Sequence, residues 1–136
     1  MTIQDDRSVH RVERGAAQGN FPFSRYVAAG NWIYVSGIVG RDPDTSELDE
    51  RNVEAQTRVA LRVVESILED AGADLGDVVK ATIFTTDMDS FADINVAYKE
   101  AFGAELPART CVEVSRLPDI EAQVEIDVVA YRHVQL

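Results

Sequence analysis

The sequence has little of what several classes of functional site require. Its single cysteine excludes an internal disulfide, and its two histidines, His10 and His133, lie near opposite ends of the chain. This shortage argues against a histidine-rich metal site, a Ser-His-Asp triad and a Cys-His nucleophile. Glycine-rich phosphate loops of the P-loop or Rossmann type are also absent. We therefore expect neither a metal nor a nucleotide cofactor.

Long apolar runs and excess positive charge are missing as well. No apolar stretch approaches the roughly 20 residues of a membrane helix. The polar N-terminus has no apolar core of a signal peptide, so we expect a cytoplasmic protein that does not bind membranes. The chain carries 13 basic and 24 acidic residues, a net charge of −11. This charge argues against a general nucleic-acid binder, because neutralising phosphates requires clustered Lys and Arg.

The apolar pattern that is present alternates between a period of two and a period near 3.6. It predicts strands at residues 9–14, 26–29, 32–39, 78–86, 109–114 and 122–131, and helices at 53–71 and about 90–102. The order β-β-β-α-β-α-β-β favours an α+β fold, with one mixed sheet and both helices on one face. We treat residues 1–136 as a single domain, since no linker divides them.

Two details of the helices follow from their residues. Asn52 is a plausible N-cap of the first helix, and Gly72 lies where its C-terminal cap belongs. In the second helix, Ser90 and Asp93 suggest a capping box. Its predicted buried stripe consists of Phe91, Ile94, Tyr98, Ala101 and Phe102. With both helices on one face of the sheet, the other face stays uncovered, which predicts an oligomer.

The last predicted strand places polar side chains on one face. Gln123, Glu125 and Asp127 alternate with an apolar set that points the other way. A solvated face explains this pattern, and so does a polar pocket in which a carboxylate orients a water molecule or acts as a general base.

Arg109 begins a strand directly after Pro107-Ala108. Its guanidinium could bind a ligand carboxylate with two hydrogen bonds, or form a surface ion pair with one of the many acidic residues of the chain. Arg109, Cys111 and Glu113 share one face of the strand, and a buried structural thiol is the ordinary role for Cys111. Ser36-Gly37 is typical of a bulge or a close backbone approach.

Several stretches together resemble the YjgF/YER057c/UK114 family of reactive-intermediate deaminases over residues 23–131. The most specific stretch is Pro-Ala-Arg-Thr-Cys-Val-Glu-Val at 107–114, followed by Val-Glu-Ile-Asp at 124–127. The others are Val-Ser-Gly at 35–37, Asp-Pro-Asp-Thr at 42–45, Glu-Ala-Gln-Thr at 54–57, Ala-Gly-Ala-Asp-Leu at 71–75 and Asp-Val-Val-Lys at 77–80.

The resemblance implies a chorismate-mutase-like fold and a homotrimer with clefts between its subunits. It implies hydrolysis of enamine or imine intermediates of amino acids to 2-oxo acids and ammonia. In this family pattern Arg109 binds the substrate carboxylate and Glu125 orients water. The remaining cleft positions fall on Cys111, Gly37, Ser36 and Asn95.

The chain departs from the family pattern at two cleft positions. Phe23 stands where the deaminases carry tyrosine, and Ile38 stands where they commonly carry glutamine. Both changes make the cleft more apolar, which suggests a bulkier or more apolar ligand. They also favour an alternative function, a non-catalytic trimer that binds small carboxylic acids. Ribonuclease or translation-inhibitor activity, attributed to some relatives, is a third possibility that the negative charge disfavours.

Overall fold

The structure is a computed structural model that describes residues 9–13 and 21–133. It contains six strands, β1 (Val9–Glu13), β2 (Ser24–Ala29), β3 (Trp32–Val39), β4 (Val78–Thr85), β5 (Ala108–Glu113) and β6 (Val124–Tyr131). Its two α-helices are α1 (Val53–Asp70) and α2 (Phe91–Phe102). All of the predicted elements are present, with boundaries shifted by one or two residues. Residue 14 of the predicted first strand lies outside the described residues.

The strands form one mixed sheet in the order β1-β2-β3-β6-β4-β5. Only β4 and β5 pair in parallel, joined by α2, and every other neighbouring pair is antiparallel. Gly30 and Asn31 make the two-residue turn between β2 and β3. The φ of Gly30 is +58°, which glycine adopts at little cost at the first position of such a turn. The predicted hairpin is confirmed.

Helix α1 packs across β3 and β6. Asn52 caps it as predicted, with its side-chain oxygen accepting a hydrogen bond from the Ala55 backbone nitrogen at 3.0 Å. Gly72 follows the helix with a φ of +82°. At Gly40 a Cβ atom would lie 2.2 Å from the Gln56 carbonyl oxygen, so only glycine lets α1 approach the sheet this closely.

Helix α2 corrects two expectations. Ile94, Ala97, Tyr98 and Phe102 are its buried residues, but Phe91 is 39% exposed. Phe91 is the first residue of the helix and lies at the margin of the core. The Ser90 side chain does not cap α2 and instead donates a hydrogen bond to Asp87 Oδ2 at 2.7 Å. The preceding turn at Met88–Ser90 brings Asp87 within reach of this hydroxyl.

The two faces of the sheet have different surroundings. One face lies under the helices and carries the buried alternate residues of β6, Val124, Ile126, Val128 and Ala130. The other face has no covering layer among the described residues, and Trp32 and Tyr34 there are 43% and 49% exposed. The predicted single sheet with both helices on one face is confirmed. Neither helix is long and apolar enough to cross a membrane.

Candidate active site

A cavity of about 660 Å³ opens beside the end of β3. Five of the residues from the family pattern line it, namely Phe23, Ser36, Gly37, Ile38 and Glu125. Much of its remaining wall is apolar and comes from α1 and two loops, including Val63, Ile67, Pro43 and Pro118. The rings of Phe21 and Phe23 lie against each other at one side of the cavity, with centroids 5.5 Å apart.

The bulge predicted at Ser36-Gly37 brings the Glu125 carboxyl group against the backbone of β3. Val35 pairs with Val128 and Ile38 with Ile126, so Ser36 and Gly37 together face the single residue Asp127 of β6. A Cβ atom at Gly37 would lie 2.9 Å from Glu125 Cδ, a distance that no ordinary contact allows. Glycine is therefore required at residue 37 for Glu125 to occupy its position. Ser36 Oγ donates a hydrogen bond to the Ser24 carbonyl oxygen at 2.5 Å.

Arg41 holds two loops together at the cavity wall. Its Nε and Nη2 atoms donate to the two carboxylate oxygens of Asp119 at 2.5 and 2.9 Å. Its Nη1 atom donates to the carbonyl oxygen of Ser46 at 2.8 Å, and Ser46 has a φ of +63°. Hydrogen bonding to Arg41 lowers the pKa of the Asp119 carboxyl group. Sequence reasoning missed this pair, since its members lie 78 residues apart.

Arg109 is held differently, by aromatic rings. Its Cζ atom lies 4.7 Å from the ring centroid of Tyr98 and 5.4 Å from that of Phe91. The side chain is half-buried, and no carboxylate among the described residues forms an ion pair with it. The surface ion pair considered for Arg109 is therefore absent from this part of the chain, and its N–H donors are available to an anion.

Buried polar atoms without partners lie on the same helix. Asn95 Oδ1 and the Tyr98 hydroxyl oxygen are buried and make no hydrogen bond to any residue that the structure describes. Such atoms are uncommon in folded proteins and call for a missing partner, a water molecule or a ligand. Burial raises the pKa of the Tyr98 hydroxyl and of the Cys111 thiol, with Arg109 opposing both shifts. The raised pKa keeps Cys111 protonated, which fits a structural role better than a nucleophilic one.

The family-pattern residues thus form two groups that the single chain does not bring together. Arg109 and Cys111 pair with Ala81 and Ile83, which are buried beneath the helices, so both face the helical side of the sheet. Glu125 lies on the opposite face, in the cavity. We call the first group, with Phe91, Asn95 and Tyr98, the Arg109 cluster. The second group is the β3 cavity.

The β3 cavity contains a second cation that sequence reasoning did not identify. Arg25 lines the cavity beside Ser36, on the strand that follows Phe23. It forms no ion pair with any residue in the described ranges. Arg25 is therefore the alternative to Arg109 as the group that binds an anion. Arg25 lies next to Ser36 because Tyr26 pairs with Val35 in the hairpin, and this register is visible only in the structure.

The polar face of β6 is half-buried rather than fully solvated. The Gln123 backbone nitrogen donates to Gln56 Oε1 at 2.9 Å, which ties β6 to α1. Desolvation alone raises the pKa of Asp127.

Within the described ranges, no three His, Cys, Asp or Glu side chains are grouped as a metal ion would require.

This fold recurs in solved structures. The structure of the YjgF gene product from Escherichia coli matches with a TM-score of 0.79 and 39% identity, over 89% of this chain and 94% of that one. The structure of TdcF from E. coli with bound serine matches with a TM-score of 0.79 and 36% identity, over 85% of this chain and 91% of that one. The six-stranded sheet with two helices is thus the YjgF fold, as the resemblance implied.

The comparisons of sequence agree with this assignment. The 2-iminobutanoate/2-iminopropanoate deaminase of E. coli strain K12 is 41% identical over 114 residues, covering 82% of this chain and 88% of the relative. The family model described as Endoribonuclease L-PSP matches residues 15–132. The chain belongs to this family, and its relatives support a deaminase-like role.

Proposed function

We propose that the protein hydrolyses imines that carry a carboxylate next to the imine carbon, releasing a 2-oxo acid and ammonia. The observation that carries the proposal is the Arg109 guanidinium, half-buried against two aromatic rings and without a carboxylate partner in the described chain. In a protein with 24 acidic residues, such a cation is a suitable receptor for an anionic ligand. A relative named as a deaminase of 2-imino acids supports the same reaction.

The complete site, in this proposal, forms between protomers of a homotrimer. The Arg109 cluster of one protomer would close the β3 cavity of its neighbour and bring Arg109 towards Glu125. Two features support this arrangement. Arg109 lies on β5, which is an edge strand. The uncovered sheet face exposes Trp32 and Tyr34, and a second copy of the chain would bury them.

The chemistry then needs few groups. Arg109 binds the carboxylate. The imine is protonated on nitrogen, so its carbon is already electrophilic. Glu125 accepts a proton from a water molecule while the water oxygen bonds to that carbon, giving a carbinolamine. The glutamic acid returns this proton to nitrogen. The carbon–nitrogen bond then breaks as the hydroxyl oxygen forms the carbonyl, and the hydroxyl proton leaves with ammonia as ammonium. Positioning supplies the rest of the acceleration.

The apolar β3 cavity favours imines with side chains larger than methyl or ethyl. Phe23 and Ile38 contribute hydrocarbon where the family pattern has polar groups, and Val63 and Ile67 extend the apolar wall. Burying one further methylene stabilises a complex by about 0.8 kcal/mol, roughly a fourfold gain in affinity. We therefore expect the imine derived from leucine to be hydrolysed more efficiently than the imine derived from alanine.

The test replaces Arg109 with alanine and measures the decay of imines released by an amino acid oxidase. We expect at least a hundredfold lower kcat/KM, because a doubly hydrogen-bonded carboxylate contributes about 3 kcal/mol. Arg25→Ala is the matched control and should change kcat/KM less than fivefold. The reverse result, with Arg25 essential and Arg109 dispensable, would assign the carboxylate to Arg25 and overturn the proposed site.

The apolar cavity also favours one alternative function, a trimer that binds carboxylic acids without catalysis. The same wild-type protein distinguishes the two functions. Binding of 2-oxobutanoate with no faster imine decay would support the alternative, whereas acceleration that depends on Arg109 supports the deaminase.

A further inference from the structure

Two aromatic side chains of α2 enclose the Arg109 side chain. Its Cζ atom lies 4.7 Å from the Tyr98 ring centroid and 5.4 Å from the Phe91 ring centroid. Both distances fall within the roughly 6 Å over which a guanidinium is attracted to a ring face. Phe91 and Tyr98 are seven residues apart, which is two helical turns, so both rings project from one side of the helix.

The two rings have different surroundings. Tyr98 is 3% exposed and packs against Phe102, with ring centroids 4.6 Å apart, so the core fixes its position. Phe91 is 39% exposed although the helical pattern predicts that it is buried. Its contact with Arg109 accounts for an aromatic ring at this exposed position. We infer that Phe91 and Tyr98 are an aromatic clamp that positions Arg109.

An aromatic clamp leaves the N–H donors of the guanidinium available to a ligand, whereas an ion pair occupies them. Ring faces attract a cation without accepting its in-plane N–H groups, so those donors remain for a carboxylate. Arg41, by contrast, has two nitrogens engaged by Asp119. A free arginine side chain also loses substantial conformational entropy on binding a ligand. By holding Arg109 in advance, the clamp reduces this loss and strengthens binding.

This inference rests on the proposed function, because it gives Arg109 a carboxylate to bind. The experiment therefore measures both the clamp and its consequence. Phe91→Leu removes the ring at an exposed position and should leave the fold intact. Phe91→Tyr keeps a ring and should preserve the wild-type behaviour. Val96→Ala alters another exposed apolar residue of the same helix and is the matched control.

The first measurement reports on the clamp without any ligand. Nitrogen-15 relaxation of Arg109 Nε should give a high order parameter in the wild-type protein and in Phe91→Tyr, and a clearly lower one in Phe91→Leu. Arg41 Nε serves as an internal reference and should not change. Equal Arg109 order parameters in all of these proteins would overturn the inference and leave the proposed function standing.

The second measurement is the affinity for 2-oxobutanoate by calorimetry. We expect a three- to tenfold loss in Phe91→Leu and no change in Phe91→Tyr or Val96→Ala. In an Arg109→Ala background the Phe91→Leu effect should vanish, because Phe91 acts through Arg109. An equal loss in both backgrounds would mean that Phe91 contacts the ligand directly, which overturns the inference alone. Unchanged affinity in Arg109→Ala itself would overturn the proposed function together with the clamp.

Discussion

Arg41 in the wall of the β3 cavity and Arg109 in the Arg109 cluster are both half-buried, yet their surroundings are opposite. Arg41 donates to both carboxylate oxygens of Asp119 and to the Ser46 carbonyl. Arg109 contacts two rings of α2, and the buried Asn95 Oδ1 and Tyr98 hydroxyl on that helix lack partners within the described part of the chain. Satisfied polar groups indicate a structural role. Unsatisfied ones indicate that a partner is missing from the isolated chain.

The largest effect expected outside Arg109 is that of Glu125→Gln. If the cavity side of the site supplies the general base, kcat for imine hydrolysis should fall about a hundredfold, the lower end of what such a base contributes. Glutamine keeps the size of the side chain, so the dissociation constant of 2-oxobutanoate should change less than threefold. A large loss of affinity with kcat unchanged would instead assign Glu125 to ligand binding.

A smaller effect, on stability rather than on catalysis, is expected for Arg41→Ala. The substitution removes the guanidinium that bonds both Asp119 oxygens, and it frees the loop around Ser46. The free energy of unfolding should fall by roughly 1–2 kcal/mol, since the pair is partly exposed and screened by solvent. Urea denaturation measures this change. Arg58→Ala, which removes an exposed pair with Glu54 and Glu100, is the control and should have a smaller effect.

If Arg41 supports the shape of the cavity without binding the ligand, 2-oxobutanoate affinity of the folded Arg41→Ala protein should stay within a few-fold of wild type. A hundredfold loss of affinity in this variant would remove the distinction between the two arginines, because Arg41 would then contribute to recognition despite its partner.

The sequence predicted the fold well because the apolar periods are local and strong. The alternation of β6 and the Asn52 and Gly72 caps of α1 each depend on a few neighbouring residues. Phe91 was wrongly predicted to be buried, because a helical period identifies a stripe but not where the core beneath it ends.

The site was harder to predict than the fold. Residue type could not distinguish Arg41 from Arg109, since Asp119, the carboxylate partner of Arg41, lies 78 residues away. Nor could it place Arg109 and Glu125 on opposite faces, which depends on the pairing of β5 with β4 and of β4 with β6. The residues were identifiable from the family pattern, whereas their distribution over two groups required the strand order.

The smallest effect, and the most direct test of the comparison, is that of Tyr98→Phe. This change removes the buried hydroxyl and keeps the ring that contacts Arg109. An unsatisfied buried hydroxyl is desolvated without compensation, so its removal should leave the free energy of unfolding unchanged or raise it by up to about 1 kcal/mol. A decrease of similar size, measured by urea denaturation of the ligand-free protein, would mean that the hydroxyl has a hydrogen-bonding partner without any ligand. The Tyr98 hydroxyl would then be satisfied, as Arg41 is, and it would no longer indicate a missing ligand.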